Sequence, residues 1–260
     1  MIVDIHAHLP RPLRGTDAMD ELVSTTAEMI GVARRAGIDK QVILALEYGV
    51  QANETLRELV RRFPDHLVPF MRASFVDDAG PAMLEECVRK YGFKGVKLHE
   101  EPRFPLTGLL GFHALYRKAA ELAVPVLTHS WHEEEGLVDI LPRMHTSYFP
   151  MAILEDLGKR YPETTFIFAH AGGIWVKAFQ AAQPFPNLCF DMSGFDPERG
   201  IVEKAVEVLG PERVFFGSDV PGRSYAAQLA KVRYADISER DKSLILGENA
   251  IRVLNLEGRR

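Results

Sequence analysis

The chain has 260 residues, of which 47% are hydrophobic and 26% charged, and its formal net charge at pH 7 is −5. This composition is typical of a soluble protein that buries one large core, and it excludes a disordered chain. Lysines and arginines are scattered among the acids, the first residues show no secretion signal, and no apolar run approaches the roughly 18 residues of a membrane span. We therefore expect a cytoplasmic protein that binds neither nucleic acid nor a membrane.

Short apolar runs rich in valine, isoleucine and phenylalanine recur along the chain and predict buried strands, and apolar residues three and four apart predict the helices between them. The predicted strands are residues 2–5, 41–46, 67–73, 95–99, 125–129, 165–170, 188–192 and 214–217. The predicted helices include residues 17–36, 52–63, 79–91, 111–122, 151–161 and 197–209, and a final helix after residue 238 packed on the outside.

Glycine follows three of these helices, at Gly37, Gly92 and Gly210, where a left-handed residue can end a helix. Strands that alternate with helices predict parallel pairing and right-handed crossovers, and eight such units close into a barrel. We predict an α/β protein with a (β/α)₈ (TIM) barrel in a single domain, residues 1–260, with an extra carboxyl-terminal helix. An open doubly wound sheet is the alternative, but no glycine-rich phosphate loop follows the first strand.

Histidines and acids lie at the carboxyl ends of the apolar runs, which all meet at the mouth of a parallel barrel. His6 and His8 are two residues apart on one strand and point to the same side. His129 offers a third nitrogen and Asp219 an oxygen, a donor set that suits Zn²⁺ and tolerates Mn²⁺, Fe²⁺ or Co²⁺. Buried histidines without a metal are the alternative, with Arg223 as the partner of Asp219. We predict a divalent metal site, with zinc as the first choice.

Other strand-end residues complete the predicted mouth. Asp4 shares the parity of the two histidines and could orient them, while His170 could bind the ion or polarise a substrate. Lys97 and His99 share one parity, so if His99 faces the mouth then Lys97 also points inward, where an unpaired ammonium is expensive. A substrate carboxylate, a buried acid or carbamylation to a bridging metal ligand would each compensate it. Trp131, just after the fifth strand, is a candidate pocket wall.

With these residues in place, the chain resembles the amidohydrolase superfamily over nearly its whole length. The likeness is to the amidohydrolase-related branch, which contains metal-dependent hydrolases and aminocarboxymuconate-semialdehyde-type decarboxylases. The family's HxH motif matches His6 and His8, its strand-five and strand-six histidines match His129 and His170, and its strand-eight aspartate matches Asp219. The ending ILGENAIRVLNL is also similar to that branch.

The resemblance implies a barrel hydrolase or lyase that acts on a small molecule, and family habit leaves a homo-oligomer open. Two-metal members use a carboxylated lysine near the position of Lys97, but we favour one ion. In the hydrolysis of a small amide, lactone or ester, Asp219 would accept a proton from the attacking water. His170 would stabilise the oxyanion, and Lys97 or Arg223 would meet a substrate carboxylate.

Two alternatives use the same residues. In nonoxidative decarboxylation of an unsaturated or aromatic acid, the ion would orient the substrate carboxylate, and a strand-end acid or histidine would transfer the proton at carbon. In the other alternative, the chain is a noncatalytic metal-binding barrel, although such a protein should have lost at least one of the five strand-end groups.

Overall fold

The computed structural model describes residues 1–10, 18–45, 50–73, 80–99, 112–130, 151–194 and 198–256. The strands within these ranges are short and buried, as expected of barrel staves. They are β1 Val3–His8, β2 Lys40–Leu44, β3 Leu67–Pro69, β4 Met71–Arg72, β5 Val96–Leu98, β6 Val126–Thr128, β7 Phe166–Phe168, β8 Leu188–Asp191 and β9 Val214–Phe215.

A helix follows each stave. These helices are α1 Ala18–Arg35, α2 Val50–Arg62, α3 Gly80–Tyr91, α4 His113–Glu121, α5 Met151–Arg160, α6 Trp175–Ala182, α7 Ile201–Leu209 and α8 Tyr225–Arg233. A terminal segment follows, made of α9 Glu239–Ser243, a π-helical turn Leu244–Glu248 and α10 Asn249–Val253. No described helix is long and apolar enough to cross a membrane.

All neighbouring strands are parallel, in the orders β1-β2-β3 and β4 through β9. β3 and β4 are halves of one stave that flank Phe70, whose N–H still donates to the carbonyl of Ile43 at 3.3 Å. The barrel closes where the Ile5 N–H donates to the carbonyl of Phe216 at 3.0 Å and Ala7 bridges Val220. The protein is therefore a (β/α)₈ barrel, as predicted.

Two apolar clusters hold the barrel together. The inner cluster includes Ile5, Leu44, Phe70, Leu127 and Phe215, and the larger outer cluster packs the other faces of the strands against the helices. Because both faces of each strand are buried, the strands appear in the sequence as continuous apolar runs. At the carboxyl ends of the strands, the inward positions become polar.

The terminal segment lies under the barrel and not on its outer surface, which corrects the prediction. Ala250 and Leu254 belong to the inner cluster together with Val3, near the amino-terminal start of β1. Asn249 donates to the carbonyls of Pro211 and Val214 at 2.7 and 2.8 Å. Because the terminal segment covers this end of the barrel, the open mouth is at the opposite end, where the strands finish.

The local predictions were accurate where the pattern was strong. Gly37, Gly92 and Gly210 all have positive φ, at 87°, 73° and 84°, which confirms the predicted helix ends. α6 and α8 were not among the predicted helices. β1 is longer than predicted and extends through both histidines.

Candidate metal centre

β1 carries two histidines into the mouth because its pairing with β2 shifts register between Asp4 and Ala7. His6 is fully buried in the mouth, but Asp4 turns away from the imidazoles and contacts Gln41 and Ser218. The prediction that Asp4 orients the histidine rings by sharing their parity is therefore wrong. The irregularity in β1 breaks the simple alternation of faces.

The side chains of His6, His8 and Asp219 form a compact triangle of donor atoms. Nε2 of His6 is 3.2 Å from Nε2 of His8, and Oδ1 of Asp219 is 3.7 and 3.5 Å from these two nitrogens. Ligands bound about 2.1 Å from one tetrahedral ion lie about 3.4 Å apart. The triangle therefore has the spacing of three ligands of a single ion.

His170 forms a second group of donor atoms with two of these residues, His6 and Asp219. One ligand atom from each of His6, His170 and Asp219 lies within 4.8 Å of the others. Both His170 and Asp219 adopt left-handed backbone conformations, with φ of 54° and 57°. Such conformations are uncommon for residues other than glycine and occur often at functional sites.

His129 lies in the same mouth, between the rings of His99 and His170. Its ring stacks on that of His99 with centroids 4.1 Å apart and meets the ring of His170 edge-on at 4.9 Å. The compact metal group includes His170 where the sequence predicted His129. The role of His129 as a ligand stays a prediction.

Burial makes the histidines suitable ligands. It lowers the pKa of His6, His8, His129 and His170 well below the ordinary value, with neighbouring positive charges acting in the same direction. Neutral imidazoles keep the lone pair that a metal requires. Burial also raises the pKa of Asp219 to about 6, against the opposing effect of Lys97.

Asp191, at the end of β8, is the main functional residue that the sequence analysis missed. It is fully buried, and its Oδ2 lies 3.0 Å from Nδ1 of His6. Its Oδ1 accepts the backbone N–H of Ser193 at 2.8 Å, and Oγ of Ser193 lies 3.1 Å from Nδ1 of both His6 and His170. The signal was present in the sequence LCFD, an acid ending an apolar run.

Two buried cations lie beside the histidines. Nζ of Lys97 is 3.3 Å from Nε2 of His6, so Lys97 points inward as predicted. Burial lowers its pKa to about 7, and Arg72 lowers it further, while Asp191 and Asp219 act in the opposite direction. Arg72 pairs with Lys97 in the β4–β5 register and is 2% exposed. The sequence analysis did not identify Arg72.

The mouth encloses a cavity of about 440 Å³. It is lined by His8, His99, His129, His170, Asp219, Pro221 and Gly222. Arg223, predicted to bind substrate, is exposed, and no ion pair between it and Asp219 occurs within the described ranges. Trp131, the predicted pocket wall, lies outside the described residues.

Comparison with solved structures finds the same barrel in proteins of low sequence identity. A 2,6-dihydroxybenzoate decarboxylase from Rhizobium is 18% identical, with 99% of each chain covered and a TM-score of 0.74. A mutant 5-carboxyvanillate decarboxylase from Novosphingobium aromaticivorans, with bound manganese and 3-methoxy-4-hydroxy-5-nitrobenzoic acid, is 15% identical, with 98% of this chain and 97% of that one covered and a TM-score of 0.76. An amidohydrolase from Burkholderia multivorans with bound zinc is 14% identical, with 99% and 100% covered and a TM-score of 0.72.

No curated protein sequence matches the chain. A family model described as amidohydrolase matches residues 3–256, which is nearly the whole sequence. The chain therefore belongs to the amidohydrolase family.

Proposed function

We propose that this protein is a metal-dependent nonoxidative decarboxylase that releases CO₂ from a small unsaturated or aromatic carboxylic acid. The observation that carries the proposal is the buried pair of basic side chains, Lys97 and Arg72, on adjacent strands beside the histidine cluster. Together with a bound divalent ion, these basic groups would favour an anionic substrate over a neutral amide or lactone. Decarboxylases among the structures that share this fold support the same choice.

The residues fit a divalent ion held by His6, His8 and Asp219, with His170 or His129 as a further ligand. Their donor atoms have ligand spacing, and burial keeps the imidazoles neutral. The set of nitrogens and one carboxylate suits zinc and also manganese. When bound, the ion would supply Lewis acidity toward the oxygens of the substrate.

The protein's own residues would then orient the acid and manage one proton. Lys97 would hold the substrate carboxylate by a charge-assisted hydrogen bond. As the bond between carbon and the carboxylate breaks, its electron pair stays on carbon and CO₂ leaves. That carbon then takes one proton, which a strand-end acid or histidine of the mouth, Asp219 or His170, would deliver. The cavity of about 440 Å³ suits a ring-sized acid.

The proposal is tested by incubating the protein with a panel of hydroxybenzoic and unsaturated acids in D₂O, with Zn²⁺ or Mn²⁺ added. We expect trapped CO₂ in equal amount to a product that carries one deuterium at the former carboxyl position. Asp219→Asn should lose this activity. Metal-loaded protein that binds these acids and releases no CO₂ from any of them would contradict the proposal.

Hydrolysis of a small amide, lactone or ester is the second candidate, and the sequence analysis favoured it. Its support is Asp219, which lies in the cavity wall beside the predicted ligands and could accept a proton from an attacking water. The two reactions are distinguished by their products. Incorporation of ¹⁸O from labelled water into a carboxyl product, without CO₂, would favour the hydrolase.

A further inference from the structure

We propose that Asp4 and Gln41 are positioning residues that anchor both ends of the loop of residues 218–225, which carries Asp219. The inference rests on the metal site of the proposed function. It assigns a role to a buried polar pair that neither lines the cavity nor contacts the ring nitrogens of His6, His8, His129 or His170.

The first anchor joins the start of the loop to β1. Oδ1 of Asp4 accepts the backbone N–H groups of both His6, at 3.1 Å, and Ser218, at 2.9 Å. Oδ2 of Asp4 accepts the hydroxyl of Ser218 at 2.6 Å. One carboxylate thus ties the backbone of a predicted ligand, His6, to the residue that precedes another, Asp219.

The second anchor joins the end of the loop to β2. Nε2 of Gln41 donates to the hydroxyl of Tyr225 at 2.8 Å and to Oδ2 of Asp4 at 3.2 Å. Oε1 of Gln41 accepts from Nε2 of His66 at 3.1 Å. Because that contact assigns the amide oxygen to His66, the amide hydrogens point to Asp4 and Tyr225.

These anchors act on a strained segment. Asp219 has a φ of 57°, in the left-handed region, so the surrounding contacts must hold it there. Asp4 and Gln41 are fully buried and Tyr225 is 6% exposed, so water cannot replace their hydrogen bonds easily. If the loop relaxed, Oδ1 of Asp219 would leave its position 3.5 Å from Nε2 of His8.

Two variants remove the anchors separately. Asp4→Asn replaces a carboxylate that accepts four hydrogen bonds by an amide whose nitrogen cannot accept. With that nitrogen at the position of Oδ2, the hydrogen bond from Gln41 is lost and the hydroxyl of Ser218 must accept instead of donate. Tyr225→Phe removes only the hydroxyl at the other end of the loop. Thr164→Val is the matched control, because it removes a buried hydroxyl that donates to the carbonyl of Tyr116 at 3.0 Å, away from the loop.

The readouts are the dissociation constant for Zn²⁺, measured by chelator competition at pH 8, the absorption spectrum of the Co²⁺-loaded protein, and the melting temperature of the metal-free protein. We expect Zn²⁺ affinity to fall about 10-fold or more in Asp4→Asn, the size of effect seen when groups that orient metal ligands are removed. Tyr225→Phe should lower it about fivefold. The Co²⁺ bands should shift in both variants. Thr164→Val should lower the melting temperature and leave affinity and spectrum unchanged.

The inference is overturned if both loop variants keep the wild-type Zn²⁺ affinity and Co²⁺ spectrum while their melting temperatures fall as in Thr164→Val. It is also overturned if wild-type protein binds no metal. Wild-type protein that binds Zn²⁺, but decarboxylates no acid, would remove the proposed reaction and leave the anchoring role supported by the variants.

Discussion

His6 and Asp191 are joined across the mouth of the barrel by a 3.0 Å contact between Nδ1 of the imidazole and Oδ2 of the carboxylate. Both side chains are fully buried. The carboxylate oxygen can accept this hydrogen bond when the hydrogen is on Nδ1, so the contact favours the tautomer whose Nε2 lone pair faces His8 and Asp219. That tautomer is the one that can bind a metal through Nε2.

Asp191→Asn should weaken metal binding without removing any predicted ligand. The amide can turn its nitrogen toward His6 and select the wrong tautomer. We expect a loss of roughly 10- to 100-fold in Zn²⁺ affinity, measured by chelator competition. Asp156→Asn, on the outer helix α5, is the control and should bind Zn²⁺ normally. Unchanged affinity in Asp191→Asn would rule out the role of Asp191 in orienting the ring.

Lys97→Met should weaken substrate binding without lowering the stability of the protein. It removes a buried ammonium and keeps much of the side-chain volume, so the free energy of unfolding should stay the same or rise. For a carboxylate substrate, kcat/KM should fall about 30-fold or more, because a desolvated charge contact contributes roughly 2 kcal/mol or more. Lys90→Met, an exposed residue paired with Glu86, is the control. Normal kcat/KM in Lys97→Met would argue against the carboxylate contact.

Added metal should stabilise the protein if the triangle of donor atoms binds it. A free Zn²⁺ concentration 100 times the dissociation constant adds about 2.7 kcal/mol to the free energy of unfolding. For a chain of this length that amounts to a rise of roughly 5–10 °C in Tm, measured by differential scanning fluorimetry before and after chelation. His8→Ala should remove most of the rise. An equal rise in His8→Ala would indicate that the metal binds elsewhere.

His66 should make the metal-free protein less stable in acid. Burial lowers its pKa from 6.5 to about 4, so the folded state favours the neutral ring. Its contribution is complete above pH 6.5 and is lost as the pH falls toward 4, with an upper size of about 3 kcal/mol. His66→Gln should reduce the difference in unfolding free energy between pH 7 and pH 4.5, measured by urea denaturation. Thr164→Val, which removes a buried hydroxyl and no titratable group, should leave that difference as in wild type, and the prediction fails if the two variants behave alike.

Gly247 is required where the terminal segment meets the start of the chain. A Cβ atom on Gly247 would clash with the backbone oxygen of Met1, which side-chain movement cannot relieve. Gly247→Ala should lower the free energy of unfolding by about 1–3 kcal/mol. Gly31→Ala, in α1, would meet only a side-chain atom at 3.6 Å and should raise it by about 0.5–1 kcal/mol. Urea denaturation of both variants checks the pair.

The barrel could be predicted from the sequence because the patterns that indicate its strands and helices are local. Strands buried on both faces appear as apolar runs, and the residues that end those runs reach one mouth in any closed parallel barrel. His6, His8, His129, His170 and Asp219 could therefore be placed at one mouth from the sequence alone, while the choice of ligands among them stays a prediction. The inward direction of Lys97 followed from the parity that it shares with His99.

The positions that depend on strand register or on packing between distant segments were not predictable in this way. Asp4 was expected to orient the histidines, but an irregularity in β1 turns it toward Gln41 and Ser218. Asp191 becomes a partner of His6 only because closure of the barrel brings together residues 185 positions apart. The sequence by itself determined which residues end the apolar runs and therefore lie near the mouth, because each strand is marked by its own local run. Only the tertiary structure decided which of them touch, because contact distances depend on register, closure and the left-handed turn at Asp219.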